Sequence, residues 1–218
     1  MNGTLPDARI RPATQSPLGV SLESGLLRTA GPGDAGEVSD FVCRLSVRSR
    51  YLRFFAAVAP PSTSLLRALC GGTGADVLVV TGPDGRVMAH GMAADDPVPG
   101  AGGNGLASNI GLMVADEWQS RGLGTLLLAT LVARAARRGA RSLVLDVLPE
   151  NHRMLGIIAR RWPDAPQQLT ADAIVVRPVI TPRQAAGGTP VPAVLGLAGQ
   201  RFRVRSGGDG GAARQPAA

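Results

Sequence analysis

The chain has 218 residues, enough for one substantial core, and its formal charge of +7 is carried by arginine alone, because all 23 basic residues are Arg. These arginines are scattered and aromatic residues make up only 3% of the chain. It therefore lacks the dense basic stripe and stacking platforms of a nucleic-acid binder, and no such partner is expected. Cys43 and Cys70 have no CxxC spacing and read as reduced, small apolar residues. Two histidines, His90 and His152, are too few for a protein-built metal site, and no apolar run reaches the length of a signal peptide or a membrane span. The expectation is a cytoplasmic protein without a metal or a membrane contact.

Residues 1–21 are polar, contain proline and show no periodicity, so they read as a disordered lead. A folded domain is expected over 22–178, and the Pro-, Gly- and Ala-rich run over 179–218 reads as a tail. Within that tail "RFRVR" alternates like a strand, with a basic docking patch as the alternative. Inside the domain, 22–29 suits a first strand, and 35–45 is an amphipathic segment. "SVRSRYLRFF" follows, then a short helical stretch over 64–69. "DVLVVTGPDGRVMAHGMA" reads as a hairpin, with Gly82-Pro83-Asp84-Gly85 supplying the turn. A glycine-rich loop with Asp95 and Asp96 at its start leads to a strand over 106–114.

The strongest helix starts at Leu123. Leu127, Leu131 and Ala135 continue its apolar face every fourth residue, Arg137 and Arg138 offset the dipole at its end, and Gly139 stops it. "SLVLDVL" reads as a buried central strand, and Asn151 as the N-cap of a last helix carrying Met154, Leu155, Ile158 and Trp162. "LTADAIVVRPVI" is expected to close the sheet as one strand. Hairpins early and a strand-helix-strand-helix unit late imply an α+β sheet layered with helices.

The stretch "DEWQSRGLGT", Asp116 to Thr125, lies just ahead of that strongest helix. A helix start presents unpaired N–H groups and partial positive charge, Gly122 and Gly124 let a ligand reach the backbone, and Arg121 adds a fixed charge. The combination suits a di- or polyphosphate. A P-loop is excluded by the absence of Lys, and a dinucleotide fingerprint fails because Leu127 stands where the third glycine belongs. A tight turn that binds nothing is the alternative left open by these residues alone.

"QSRGLG", Gln119 to Gly124, resembles the Q/R-x-x-G-x-G/A signature of the GNAT (GCN5-related) N-acetyltransferases. "IGLMVADEWQSRGLGTLLL" is similar to the strand, turn and helix of that family, and "LVLDVLPENHRM" to its next strand and helix start. "LSVRSRYLRFF" resembles a segment of the acetyltransferase domain of bacterial protein acetyltransferases. The resemblance implies the GNAT fold: a mixed, mostly antiparallel central sheet with a splay between two strands and helices on both faces. It also implies acetyl-CoA as acyl donor. Leu112, Met113 and Val114 would meet its pantetheine, Gln119, Ser120, Arg121, Gly122, Leu123, Gly124 and Thr125 its pyrophosphate, and Asn151 would contact it after the next strand.

The implied reaction moves an acetyl group to an amine of a protein or small molecule by direct attack in a ternary complex. Many members carry a Glu general base on the splayed strand, and here Asn109 stands in its place; an amide cannot take the proton at neutral pH. The family's frequent Tyr acid is missing from "MLGIIARRWPDA", and the chain's one Tyr, Tyr51, lies upstream, where packing beside Phe54 and Phe55 is expected, with lining of the acceptor side as the alternative. His90 reads as a satisfied or exposed strand histidine, with catalysis as the alternative. Asp95 and Asp96, in the loop before the splayed strand, are the other catalytic candidates, with solvated loop acids as the expected reading. With the base missing, an acyl-CoA-binding module without efficient catalysis is the competing reading.

Overall fold

The computed structural model describes residues 26–56, 58–72, 75–97, 106–181 and 203–204. In chain order it comprises β1 (Leu26–Thr29), α1 (Ala35–Arg44), α2 (Val47–Phe54), α3 (Thr63–Leu69), β2 (Ala75–Thr81), β3 (Val87–Pro97) and β4 (Leu106–Val114). These are followed by α4 (Leu123–Arg137), β5 (Ala140–Val147), α5 (His152–Arg161), β6 (Gln167–Leu169), β7 (Ile174–Val176) and β8 (Arg203–Val204). The strands form one mixed sheet in the order β6-β7-β5-β4-β3-β2-β1-β8. The pairs from β1 to β4 are antiparallel, and the exceptions are the parallel contacts β4 with β5 and β1 with β8.

The strand alternation sorts side chains into two cores. On one face the α4 stripe Leu123, Leu127, Leu128, Leu131, Val132 and Ala135 packs with Ile158 and Trp162 against Leu78, Ala89, Leu143 and Leu145. On the other face Val38, Phe41 and Val42 of α1 and Leu69 of α3 cover Val77, Val79 and Met113. Gly91 on β3 belongs to the first face, where a Cβ would come within 2.9 Å of Leu131 Cδ1 and 3.0 Å of Leu112 Cδ2. The missing side chain lets α4 lie close to the sheet, which carries the start of this helix up to the end of β4.

Two expectations change. Within "LTADAIVVRPVI" only Ile174–Val176 forms a full strand, β7, which pairs with β6 just ahead of it: Thr170 N–H donates to the Ala173 carbonyl at 2.8 Å, and Ala173 N–H to Thr170 Oγ1 at 3.1 Å, reversing the chain between the two. Asp95 and Asp96 are not loop acids, because β3 runs through them to Pro97. Asp95 there accepts from Arg138 Nε at 2.5 Å and Nη2 at 3.0 Å, and its carboxylate lies below the usual range: burial opposes that shift, and the Arg138 guanidinium outweighs it. The expected hairpin, the strand over 106–114 and the helix from Leu123 are all present, and Arg203–Val204 of "RFRVR" pairs with β1. Calls on 1–21 and on most of 179–218 lie outside the described residues.

Leu131, with no exposed surface at the centre of the α4 contact, is expected to be a main contributor to stability. Leu131→Ala should cost about 2–5 kcal/mol, read as a fall in the urea midpoint with an unchanged slope.

Candidate functional site

The site originates in a change of partner along one strand. β4 pairs with β5 only from Leu106 to Asn109, the last parallel partner being Val144. From Leu145 onward β5 pairs with β7, while β4 continues to Val114 on β3 alone. The strands therefore part after Asn109, and residues 110–114 keep one edge without a strand. A cavity of about 740 Å³ opens along this edge.

At the far end of β4 the chain turns into α4. Ser120 and Gly122 both have positive φ, 60° and 86°, and the Gly122 backbone caps the helix without a side-chain acceptor. The first helical bond runs from Leu126 N–H to the Gly122 carbonyl at 3.0 Å. The N–H groups of Leu123, Gly124 and Thr125 thus have no carbonyl to bond within the helix, and the dipole of this 15-residue helix adds positive potential there. A Cβ on Gly124 would meet only Val114 Cγ2, at 3.7 Å. Its absence keeps the cavity floor down at the backbone.

The turn is held by polar side chains around Asp116. The Asp116 carboxylate accepts from Ser46 N–H at 2.8 Å, Ser46 Oγ at 2.8 Å and Ser49 Oγ at 2.7 Å. Burial favours the neutral acid, but these bonds outweigh it and keep the carboxylate below its usual range. Gln119 Nε2 donates to the Val114 carbonyl at 3.2 Å and to Ser49 Oγ at 3.1 Å, while Gln119 Oε1 accepts from Arg153 Nη1 at 2.9 Å. One amide therefore joins β4, α2 and α5 across the turn. Asn151 caps α5, its Oδ1 accepting from Met154 N–H at 3.2 Å.

The structure brings the sequence-selected residues together. Leu112, Met113, Val114, Gln119, Ser120, Arg121, Gly122, Leu123, Gly124, Thr125 and Asn151 all line this cavity. Arg121 stacks 4.7 Å from the Trp118 ring, which holds its cation at the rim. The wall missed by sequence reasoning is α2, with Arg48, Ser49, Leu52 and Arg53, together with Arg153 and Arg160 of α5. The spacing 48/52 and 49/53 puts these α2 residues on one helix face, a signal that "SVRSRYLRF" carried. Arginines outnumber acids on the wall, where Asp116 is already saturated and Glu150 is exposed. The cavity thus suits an anionic ligand.

The catalytic candidates do not converge on it. Tyr51 is 42% exposed and lies outside the lining, and of its neighbours Phe55 is 37% exposed while Phe54 packs on the second core. Asn109 sits half-buried where β4 and β5 part, below the lined portion. His90 is fully buried, with Nε2 donating to the Leu69 carbonyl at 2.8 Å and Nδ1 without a partner. Burial lowers its pKa to about 4; the Leu69 bond opposes this and the nearby Arg53 charge adds to it. His90 is a structural, neutral imidazole at neutral pH. Among the described residues no group of His, Cys, Asp and Glu could hold a metal, and no helix is long and apolar enough to cross a membrane. Cys43 is exposed and Cys70 buried, both unpaired.

Comparison with known proteins gives a consistent picture. The family model for the acetyltransferase (GNAT) family matches residues 46–161. No curated protein sequence matches the chain. Among solved structures, the GNAT domain of S. lividans PAT is similar at 22% identity and a TM-score of 0.62, over 70% of this chain and 89% of that one. A phosphinothricin acetyltransferase from Sinorhizobium meliloti in complex with AcCoA is similar at 16% identity and a TM-score of 0.54, over 72% and 89%. Arabidopsis thaliana NAA60 in complex with acetyl-CoA is similar at 14% identity and a TM-score of 0.53, over 72% and 97%.

His90 generates a pH dependence of stability. Its folded pKa is depressed, so its contribution is fully present above pH 6.5 and is lost as pH falls toward 4, because the unfolded chain takes up the proton first. Roughly 3 kcal/mol should disappear across that window, seen as a falling urea midpoint. His90→Gln should flatten this segment of the profile.

Proposed function

Because the chain belongs to the GNAT acetyltransferase family, we propose that it is an acetyl-CoA-dependent N-acetyltransferase that passes the acetyl group directly to an amine in a ternary complex. The observation that carries this reading is the cavity itself, which runs from unpaired N–H groups at the start of α4 along the free edge of β4 toward the parting at Asn109. Leu123, Gly124 and Thr125 N–H would hold the pyrophosphate, with Ser120, Arg121 and Gly122 shaping the turn and Gln119 bracing it. The edge of Leu112, Met113 and Val114 offers backbone groups to an extended pantetheine arm, and Asn151 borders the same channel. An N–H on that edge is also suited to polarise a carbonyl oxygen.

The donor supplies an activated acyl group. The acceptor nitrogen bonds to the carbonyl carbon, the carbon–sulfur bond breaks, and the proton lost by the amine ends on the departing thiolate. What the protein must arrange is a neutral amine. Freeing a lysine amine at pH 7 costs about 4.6 kcal/mol, an α-amine near pKa 7.8 about 1.1 kcal/mol. With Asn109 where relatives carry a base, the low-pKa amine is the favoured acceptor. The same Asn109 favours a second reading, an acyl-CoA-binding module with little turnover.

Calorimetry with acetyl-CoA, followed by a screen for CoA release with amines and proteins, separates the two. Binding with release supports the enzyme; tight binding without release under any acceptor supports the module. Gly124→Glu places a carboxylate against the turn at a position whose Cβ has room. It should weaken acetyl-CoA binding by about a hundredfold while leaving the melting temperature near wild type. Asn109→Glu is expected to raise turnover of lysine-type amines by about tenfold or more as a general base is restored. An unchanged rate would remove Asn109 from the account.

A further inference from the structure

Arg53 is the charge that the donor site leaves unexplained. It stands one helical turn beyond Ser49, which the Asp116 bonds fix, and lines the cavity. Its guanidinium lies flat on β4 at Gly111: a Cβ there would overlap Nη2 and Cζ and come within 2.9 Å of Nε. Gly111 pairs with Met92 on β3, and Asn109 and Met113 point to the same side of the strand. Arg53 therefore sits beside the point where β4 and β5 separate. Along β4 that is about 10 Å from Val114, next to the start of α4.

Among the described residues Arg53 has neither an ion pair nor a hydrogen bond; its Nε is enclosed without a partner, the Phe54 ring lies 5.4 Å away, and the neighbouring His90, whose pKa the Arg53 charge helps to lower, is neutral and offers no counter-charge. Burial lowers its pKa. Other arginines with restricted exposure have partners: Arg28 has Asp34, Arg134 has Asp76, Arg138 has Asp76 and Asp95, and Arg50 donates to the Cys43 and Leu45 carbonyls. Arg161 also has an unpartnered Nε, but it stacks on Trp162 outside the cavity. Asp116, the acid that anchors the same helix, is already filled by Ser46 and Ser49. A desolvated guanidinium without a counter-charge is costly, and a carboxylate brought by a ligand offsets that cost through paired, charge-assisted bonds.

We propose that Arg53 receives a carboxylate of the acceptor, so that the preferred acceptors are amines bearing an acid group close to the amine, as in α-amino acids or acidic peptide N-termini. This rests on the acyltransferase reading and narrows its substrate class. The phosphates of the donor are placed elsewhere, at the α4 start, which leaves this second cationic position to the other substrate.

The test uses product-like probes and does not need turnover. In the CoA-saturated full-length protein, calorimetry should show N-acetylglycine binding about tenfold or more tighter than N-acetylglycinamide, or acetyl-Asp-amide tighter than acetyl-Asn-amide to the same degree. The first pair reads an α-carboxylate and the second a side-chain acid. Arg53→Met should bring the affected ratio to about one, leave acetyl-CoA affinity unchanged and melt no lower than wild type, because it removes an unpaired charge. Gly111→Ala, which pushes the guanidinium off the strand, should reduce the ratio in the same way. Equal binding within both pairs in the wild type overturns the proposal, as does a preference that survives Arg53→Met. An Arg53-dependent preference for succinyl-CoA over butyryl-CoA also overturns it, by placing the acid on the acyl chain. Carboxylate preference without any CoA release supports this site and sinks the enzymatic reading alone; release with amides and acids alike does the reverse.

Discussion

The site depends on the inability of one strand edge to keep its partner. β5 serves β4 up to Val144 and β7 from Leu145, so the five residues of β4 after Asn109 have backbone groups facing a gap. Buried N–H and C=O groups have to be satisfied somewhere. At Val114 the Gln119 amide takes the carbonyl; farther along, the open edge is a template that an extended, amide-containing ligand can complete. The cavity is in this sense an unfinished sheet, with the start of α4 held at its end by the α4 leucines packed over Gly91.

Holding that gap open requires rigidity on the opposite wall, and the polar cluster around Asp116 provides it. Three donors from Ser46 and Ser49 fix the first turn of α2 to the residues before α4, and Gln119 extends the network to Arg153 on α5. Each bond alone is worth about 1 kcal/mol, more where the acceptor is charged. Their joint effect is geometric. Three elements that border the cavity are referred to one carboxylate and one amide, so the spacing between α2 and the turn is set before any ligand arrives. Because Asp116 is consumed by this task, it does not neutralise the arginines on the wall.

Local patterns made the α4 side of the cavity legible. The α4 stripe has helical period, the Gly-x-Gly turn follows an apolar strand, and both carry their meaning within a short window, so the residues selected from the sequence around that turn all fall on one cavity. The missed wall, α2, has low overall hydrophobicity and is defined by what lies across from it. Its arginines looked like scattered surface charge until β4 was placed beneath them, with a glycine under Arg53. His90 was legible from its place on a strand: it is a structural histidine, its Nε2 bonded to the carbonyl that ends α3. The closing hairpin of β6 and β7 was hidden because the turn at Thr170 uses a side-chain oxygen rather than Gly or Pro.

Asn109 and Arg53 gain meaning when taken together. They approach one stretch of β4 from the same face, one lacking the base that would lower the cost of freeing an amine, the other offering a cation without a partner. A cation near the acceptor nitrogen itself disfavours the ammonium form, because like charges in a desolvated site repel, and so lowers the amine's pKa. An acid group on the acceptor would bind Arg53 and partly cancel that repulsion, so binding strength and ease of deprotonation pull in opposite directions. The two are reconciled if the carboxylate faces Arg53 while the amine lies toward Asn109, whose amide oxygen can accept a hydrogen bond from the nitrogen and orient its lone pair without taking the proton. In such a site the positioning of the acceptor replaces part of the work of a general base.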